Sequence, residues 1–285
     1  MRTSNPTLSD SAFQRLGNQG GLGTQPGSVG SQYGGGYGTA LETPPPPAQQ
    51  GGFGGPAAGP LARTDLFTVE GAIYKTLFLL GILIATGLAA ALLLPVALYP
   101  PVMIGAIVAG LALVLTISFK PNLAPTLSPV YAAVQGVLLG VITLVFEQNY
   151  PGIASQALVG TVTVLGVMLV LYRTGVIKVT QRFRMVVVAA TGAIFVTYLL
   201  SFVLGFFGVS FGFLHGSSWL SIGLSVVIIG VAALNLALDF DFIENAAARG
   251  LPSKAEWYAA FGLLVTLIWI YLEILRLLAK LQSRD

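Results

Sequence analysis

Between Thr76 and Leu236 the chain carries only six charged residues, Lys120, Glu147, Arg173, Lys178, Arg182 and Arg184, and four of them fall in one twelve-residue stretch. The runs between them are long and apolar. About 20 residues of helix cross the hydrocarbon core of a bilayer, so uncharged runs of this length read as membrane spans. Only 9% of the 285 residues are charged, too few to cover a water-facing surface, which excludes an ordinary soluble domain. Fourteen basic against eleven acidic residues leave a net charge of +3, a feeble basis for binding nucleic acid. With no cysteine, disulfides, thiolate catalysis, cysteine zinc sites and iron–sulfur clusters are excluded.

Residues 1 to about 62 differ from the rest. They are rich in Gly, Ser, Gln and Pro, with Gly34 to Gly36 and Pro44 to Pro47 as extremes, and such a segment buries no core. It reads as a disordered cytoplasmic tail acting as a spacer. It lacks the pattern of a cleavable signal peptide, so the first span is expected to serve as the insertion signal. Gly52, Gly54 and Ala57 make a GxGxxA match, but no apolar strand precedes it and Pro56 interrupts it.

From about residue 63 to 285 the pattern predicts an all-α membrane domain with seven spans: about 76–98, 102–119, 127–146, 153–172, 185–208, 219–238 and 257–279. Pro100-Pro101, Lys120-Pro121-Asn122, Glu147 to Gly152, Arg173 to Arg184 and a Gly, Ser and His loop around His215 separate them. The side shared by the N-terminal flank and alternate loops holds Lys75, Lys120, Arg173, Lys178, Arg182, Arg184, Arg249 and Lys254, whereas the opposite loops hold no Lys or Arg. Positive residues stay inside, which predicts a multi-pass protein of the inner (cytoplasmic) membrane with a cytoplasmic N-terminus. Seven full spans put the C-terminus outside despite Arg276, Lys280 and Arg284. The alternative is a re-entrant seventh segment; a stretch of about 23 residues is long enough for a full span.

Polar groups within spans are costly and mark candidate function. Asp239, Asp241 and Glu244 close the sixth span. At about 100° per residue, Asp239 and Asp241 point about 200° apart, whereas Asp241 and Glu244 share a face. These acids either sit solvated at a helix end or, in the sharper reading, Asp239 faces the bundle interior, where its charge responds to pH. Glu273 and Arg276 are three residues apart and suit a local ion pair. With the sixth turn centred near Gly250, Asp239 lies level with about Phe261, leaving Glu273 about 18 Å farther on. Thr266, seven residues before Glu273, is on the same stripe and nearer the level of Asp239, so the two could line an interior path.

Gln135 precedes Gly136 and Gly140, a spacing that lets helices approach closely. His215 is the only histidine and is assigned no role. Trp219, Trp257 and Tyr258 lie at span ends, as interfacial aromatics do, and mid-span Trp269 is read as packing. The sequence contains no phosphate-cradling glycine loop, zinc-ligand spacing or nucleophile elbow. The chain is therefore expected to be neither an enzyme nor a metal or cofactor protein.

The runs Gln135-Gly136-Val137-Leu138-Leu139-Gly140, Glu147 with Tyr150-Pro151-Gly152-Ile153, and Tyr172-Arg173-Thr174-Gly175-Val176-Ile177 together carry a resemblance. So do Leu238-Asp239-Phe240-Asp241-Phe242-Ile243-Glu244, Glu256-Trp257-Tyr258-Ala259-Ala260-Phe261-Gly262 and Tyr271-Leu272-Glu273-Ile274-Leu275-Arg276. Over about residues 63 to 285 the chain resembles a bacterial member of the Bax inhibitor family, also called YccA-like. The resemblance implies six helices around a central seventh and a pH-sensitive calcium leak, latched by two aspartates on the sixth and seventh helices that share a proton. Asp239 matches the first aspartate, with Asp241 as the fallback. The place of the second falls near Thr266, and Glu273 is the nearest acid. Gln135 stands where many relatives carry glutamate.

The leading expectation is an ion-transport protein of the membrane that passes Ca²⁺ or another cation, with Asp239, Asp241, Glu273, Thr266 and Gln135 along the pH-sensing path. Glu244 stands with Asp241 at a cation mouth, since hard cations prefer carboxylate and carbonyl oxygen. The alternative is a non-conducting adaptor that binds a membrane protease. In both, the constant partner is the lipid bilayer.

Overall fold

The structure, a computed structural model, describes residues 66–205, 207–208 and 218–283. The tail to about residue 62, the Gly52-Gly54-Ala57 run, His215 and Arg284 lie outside these residues. Among the described residues there are seven long helices: α1 (Val69–Leu93), α2 (Tyr99–Phe119), α3 (Ala124–Asn149), α4 (Ile153–Arg173), α5 (Gln181–Gly205), α6 (Trp219–Ala248) and α7 (Ala255–Gln282). Each is long and apolar enough to cross a bilayer. Their large apolar side chains face outward on many turns, for example Leu77, Leu88, Val159 and Val188, as lipid-facing helices require.

Local chemistry sets the helix ends. The Thr68 hydroxyl accepts from the Gly71 N–H at 2.9 Å and caps α1, with Glu70 in its first turn. α1 stops at Leu93 because Leu94 precedes Pro95 and takes an extended conformation. Pro100 and Pro101 open α2, where a missing N–H does no harm. Between α3 and α4, Gly152 adopts φ +86°, and the Glu147 carboxylate accepts from the Gly152 and Ala154 N–H groups at 2.6 and 2.9 Å. Glu147 thereby satisfies donors that α4 would leave orphaned.

Several helix ends differ from the hydropathy reading. α1 begins at Val69 rather than near residue 76, taking Glu70 and Lys75 into the helix. Lys75 is accommodated there by an ion pair to Glu256 at the start of α7, at 2.5 Å, and by the Ser253 carbonyl at 3.1 Å. α6 continues ten residues beyond Leu238, so its acids lie within the helix and not at its close. α5 spans 181–205 instead of about 185–208, its first turn held by the Thr180 hydroxyl accepting from the Phe183 N–H. α7 is one unbroken helix of 28 residues, about 42 Å at the usual rise, and offers no break at which a re-entrant segment could turn back.

α7 occupies the centre. In its most apolar stretch 56% is buried, against 11% in α5, and it packs on α1, α3, α4 and α6, while α2 lies on α3 and α5 on α6. One cluster joins Leu236, Ala237 and Ile243 of α6 to Leu263, Leu267 and Ile270 of α7; another joins Leu79, Tyr131 and Leu139 to Phe261 and Leu264. α1 and α3 meet through backbone. A Cβ on Gly140 would overlap the Gly87 carbonyl, and one on Gly136 would overlap Thr86 Oγ1 and the Leu83 carbonyl, so the small-residue spacing serves close approach.

A clasp joins the start of α1 to the start of α7. The Glu256 carboxylate, buried, accepts from the Thr68 N–H at 2.7 Å, the Thr68 hydroxyl at 3.1 Å and Lys75 Nζ. A Cβ at Gly71 would overlap it. Beside it the Phe67 N–H donates to the Leu251 carbonyl at 2.6 Å, and Lys75 lies 5.4 Å over the Trp257 ring.

Two stability outcomes follow for the protein in detergent. Gly140→Leu forces overlap at a backbone contact and is expected to lower the melting temperature by about 3–10 °C, whereas Gly105→Ala, with nothing within 4 Å, leaves it no lower. Glu256→Gln strips the charge that holds Lys75 and should cost about 1–3 kcal/mol. Pairing it with Lys75→Met should recover part of that loss, because no cation is then left unanswered; a double variant as unstable as the two losses combined would show that the clasp is not a charge pair.

Candidate functional site

Asp239, on α6, faces α7. The Thr266 hydroxyl donates to Asp239 Oδ2 at 2.7 Å and shares its proton with the Gly262 carbonyl at 3.2 Å. Asp239 Oδ1 lies over Gly262, where an added Cβ would come within 3.5 Å of it. The carboxylate is half-buried, Thr266 is buried, and no ion pair reaches Asp239 among the described residues. Its neighbours on both helices, Leu236, Ala237 and Leu263, belong to the apolar core. A carboxylate in such surroundings holds its hydroxyl partner more tightly than a neutral acceptor would.

The register corrects one expectation. Asp239 is level with Thr266, not with Phe261, because the α6–α7 connection does not centre on Gly250. Gly250 takes φ +62°, but the chain then runs through Pro252, bridged to Leu66, before α7 begins at Ala255. The later centre slides α7 along α6. A second contact fixes the same register: Lys280 Nζ donates to Ser225 Oγ at 2.9 Å and to the Ser221 carbonyl at 3.3 Å. Asp239 and Ser225 are fourteen residues apart on α6, as are Thr266 and Lys280 on α7, two heptads of an antiparallel pair. Glu273 therefore lies seven residues beyond Thr266, about 10 Å along the axis, and does not meet Asp239.

The other acids of α6 take separate partners. Asp241 pairs with Arg184 of α5 at 2.7 Å, and Glu244 accepts from the Tyr172 hydroxyl of α4 at 2.5 Å. Asp239, Asp241 and Glu244 do not converge, and among the described residues no three Asp, Glu or His side chains stand close enough to hold a metal ion. What this end of α6 presents is a sequence of three singly held carboxylates, one at the α7 contact and two toward the helix terminus.

Glu273 makes the local pair expected of it. Its Oε2 accepts from Arg276 Nη1 at 3.0 Å and from the Tyr198 hydroxyl of α5 at 2.9 Å, and Arg276 Nη1 also donates to Tyr198 at 2.6 Å. Glu273 is fully buried, and its Oε1 has no hydrogen-bond partner. Gln135 lies elsewhere, on α3, seated where a Cβ on Gly110 of α2 would overlap it.

Two residues escaped the sequence reading. Glu256 figured only in a run that carries the family resemblance; its partner Lys75 is 181 residues away, and no local pattern links them. Lys280 was grouped with the basic C-terminal flank, yet it is buried against α6. The available signal was its spacing: Thr266, Glu273 and Lys280 recur every seven residues, one stripe of a helix.

The family model described as Bax inhibitor 1 like matches residues 5–283 of the chain. No curated protein and no solved structure matches it. The match begins within the Gly-rich tail and runs through all seven helices, farther toward the N-terminus than the runs from residue 63 that carry the sequence resemblance. A match of that extent, on a bundle of seven bilayer-length helices with α7 innermost, makes this chain a multi-pass membrane protein of the Bax inhibitor 1 like family.

Proposed function

We propose that this chain is a pH-responsive cation leak of the cell inner membrane, Ca²⁺ being the cation tested first, with Asp239 as its titrating group and Thr266 as that group's partner. The observation that carries the reading is the single hydrogen bond from Thr266 to a carboxylate with no counter-cation, between the central helix and α6. An ionised carboxylate there attracts a passing cation and Thr266 at once. Protonation weakens both interactions, and their sizes decide the sign. Losing charge assistance weakens the hydroxyl bond by about 1 kcal/mol. Losing a unit charge about 4 Å from a cation removes about 4 kcal/mol at an effective dielectric of 20. The cation term is the larger, so flux falls as pH falls.

The partner being threonine also sets the shape of the response. A pair of carboxylates titrates in two coupled steps. A carboxylate against a hydroxyl has one proton to exchange, so the pH profile is a single step. Arg184 and Tyr172 hold Asp241 and Glu244 at the adjacent end of α6, a second rank of oxygen ligands that suits the entry of a hard cation.

The test is reconstitution of the full chain into vesicles loaded with a calcium dye. Calcium flux is expected to drop in one step between pH 8 and 6. Asp239→Asn should abolish the pH dependence and hold flux at or below the acid level, and Thr266→Asp should split the profile into two steps. Absence of flux at every pH would overturn the reading and favour the non-conducting adaptor of a membrane protease, whose co-purification with this chain would survive Asp239→Asn.

A further inference from the structure

On the other half of α7, beyond the Asp239 contact, α2 and α5 do not close against each other. They border a cleft of about 650 Å³, walled by Ile107, Val108 and Leu111 of α2 and by Phe195 and Tyr198 of α5, with Arg276 of α7 at its polar end. This volume falls in the range of small-ligand sites, about 300–1,000 Å³. The wall is mostly apolar, its polar members being Tyr198, Ser201 and Arg276.

Arg276 is hydrogen-bonded through one nitrogen only, with its Cζ 4.9 Å from the centre of the Tyr198 ring. Its Nη1 makes both described bonds, to Glu273 Oε2 and Tyr198, and its side chain is 35% exposed. The fork of a guanidinium carries five N–H donors, and those on Nη2 and Nε have no bond to a described residue. Glu273, itself buried, thus fixes the guanidinium plane and leaves the opposite edge toward the cleft. Donors left open in an apolar wall at bilayer depth are costly, and the partner that suits a planar fork is a phosphate or carboxylate.

Depth narrows the choice. α7 is about 42 Å long against a hydrocarbon core of about 30 Å, so it overhangs by about 6 Å at each end when centred. Arg276 lies six residues from the terminal Gln282, about 9 Å, which puts its backbone about 3 Å inside the core boundary. The guanidinium is drawn one turn back toward Glu273, and from that boundary the cleft runs along α2 and α5 toward the middle of the bilayer.

We propose that this cleft is a specific site for one anionic phospholipid, its phosphate held by the free donors of Arg276 and one acyl chain lying between α2 and α5. The occupant is committed by the pairing of a half-used guanidinium with an apolar channel that opens at headgroup depth. The site is separate from the Asp239–Thr266 contact and stands or falls independently of any ion flux.

The test uses the full chain, purified in mild detergent, stripped of lipid and titrated with phosphatidylglycerol or phosphatidylcholine of matched chains. Native mass spectrometry counts the bound lipid and a thermal melt reports its effect. One phosphatidylglycerol is expected per chain, with about a ten-fold preference over phosphatidylcholine, whose phosphate is the same but whose choline cation would stand close to the Arg276 guanidinium. Arg276→Gln should erase the preference. Val108→Trp, which fills the cleft from α2 and leaves Arg276 untouched, should reduce lipid retention about ten-fold while the lipid-free melt stays within 2 °C of the parent. Equal retention of the two lipids overturns the proposal, as does undiminished retention in Val108→Trp. Displacement of phosphatidylglycerol by equimolar oleate would also overturn it, because the site would then be one for free carboxylates.

Discussion

A polar group on a helix enclosed by other helices within a bilayer finds its partner on a neighbour or goes without. Five such groups on α7 are answered from outside the helix. Glu256 is met by Thr68 and Lys75 of the α1 segment, Thr266 by Asp239 of α6, Tyr271 by Thr143 of α3, Glu273 by Tyr198 of α5, and Lys280 by Ser225 of α6. Apolar packing holds the helices together with little sense of register, because one leucine against another is nearly indifferent to a slide of one turn. The polar contacts are not indifferent. They fix the height of the central helix against its neighbours, and Asp239 faces the bundle at its particular level because Thr266 and Lys280 together allow no other.

The seven helices and their order were legible in the sequence because hydropathy over about 20 residues depends on composition alone. Helix ends were not, wherever a charge inside the helix was neutralised from far along the chain. Lys75 reads as the flank of a span until Glu256 is known to stand beside it, and Asp241 and Glu244 read as the close of a span until Arg184 and Tyr172 are in place. The candidate site was partly legible. Thr266 emerged from its stripe with Glu273, but the level assigned to Asp239 was wrong by about five residues, since Pro252 and its bridge to Leu66 shift the centre of the connection. Lys280 was missed because a lysine near the end of an apolar run looks solvated, and only Ser221 and Ser225 on the facing helix show otherwise.

A threonine facing Asp239 bears on mechanism. Membership of the family supplies the fold, and chemistry at the contact has to be read from the side chains present. A hydroxyl keeps its proton throughout the working pH range, so it bonds to the carboxylate without competing for that proton. The Asp239–Thr266 contact therefore has one ionisable member where a pair of carboxylates would have two.

The seam between α1 and α3 divides the bundle mechanically. Where Gly87 and Gly140 bring backbone against backbone, there are no intervening side chains whose rotamers could change to let the helices slide or part, and separation would leave a void along both surfaces. The opposite half is joined differently, by hydroxyls, carboxylates and a guanidinium reaching between α5, α6 and α7, contacts that can exchange one partner for another with small displacements. α1 and α3 thus form a fixed wall, and α5 and α6 are the helices left able to turn against it.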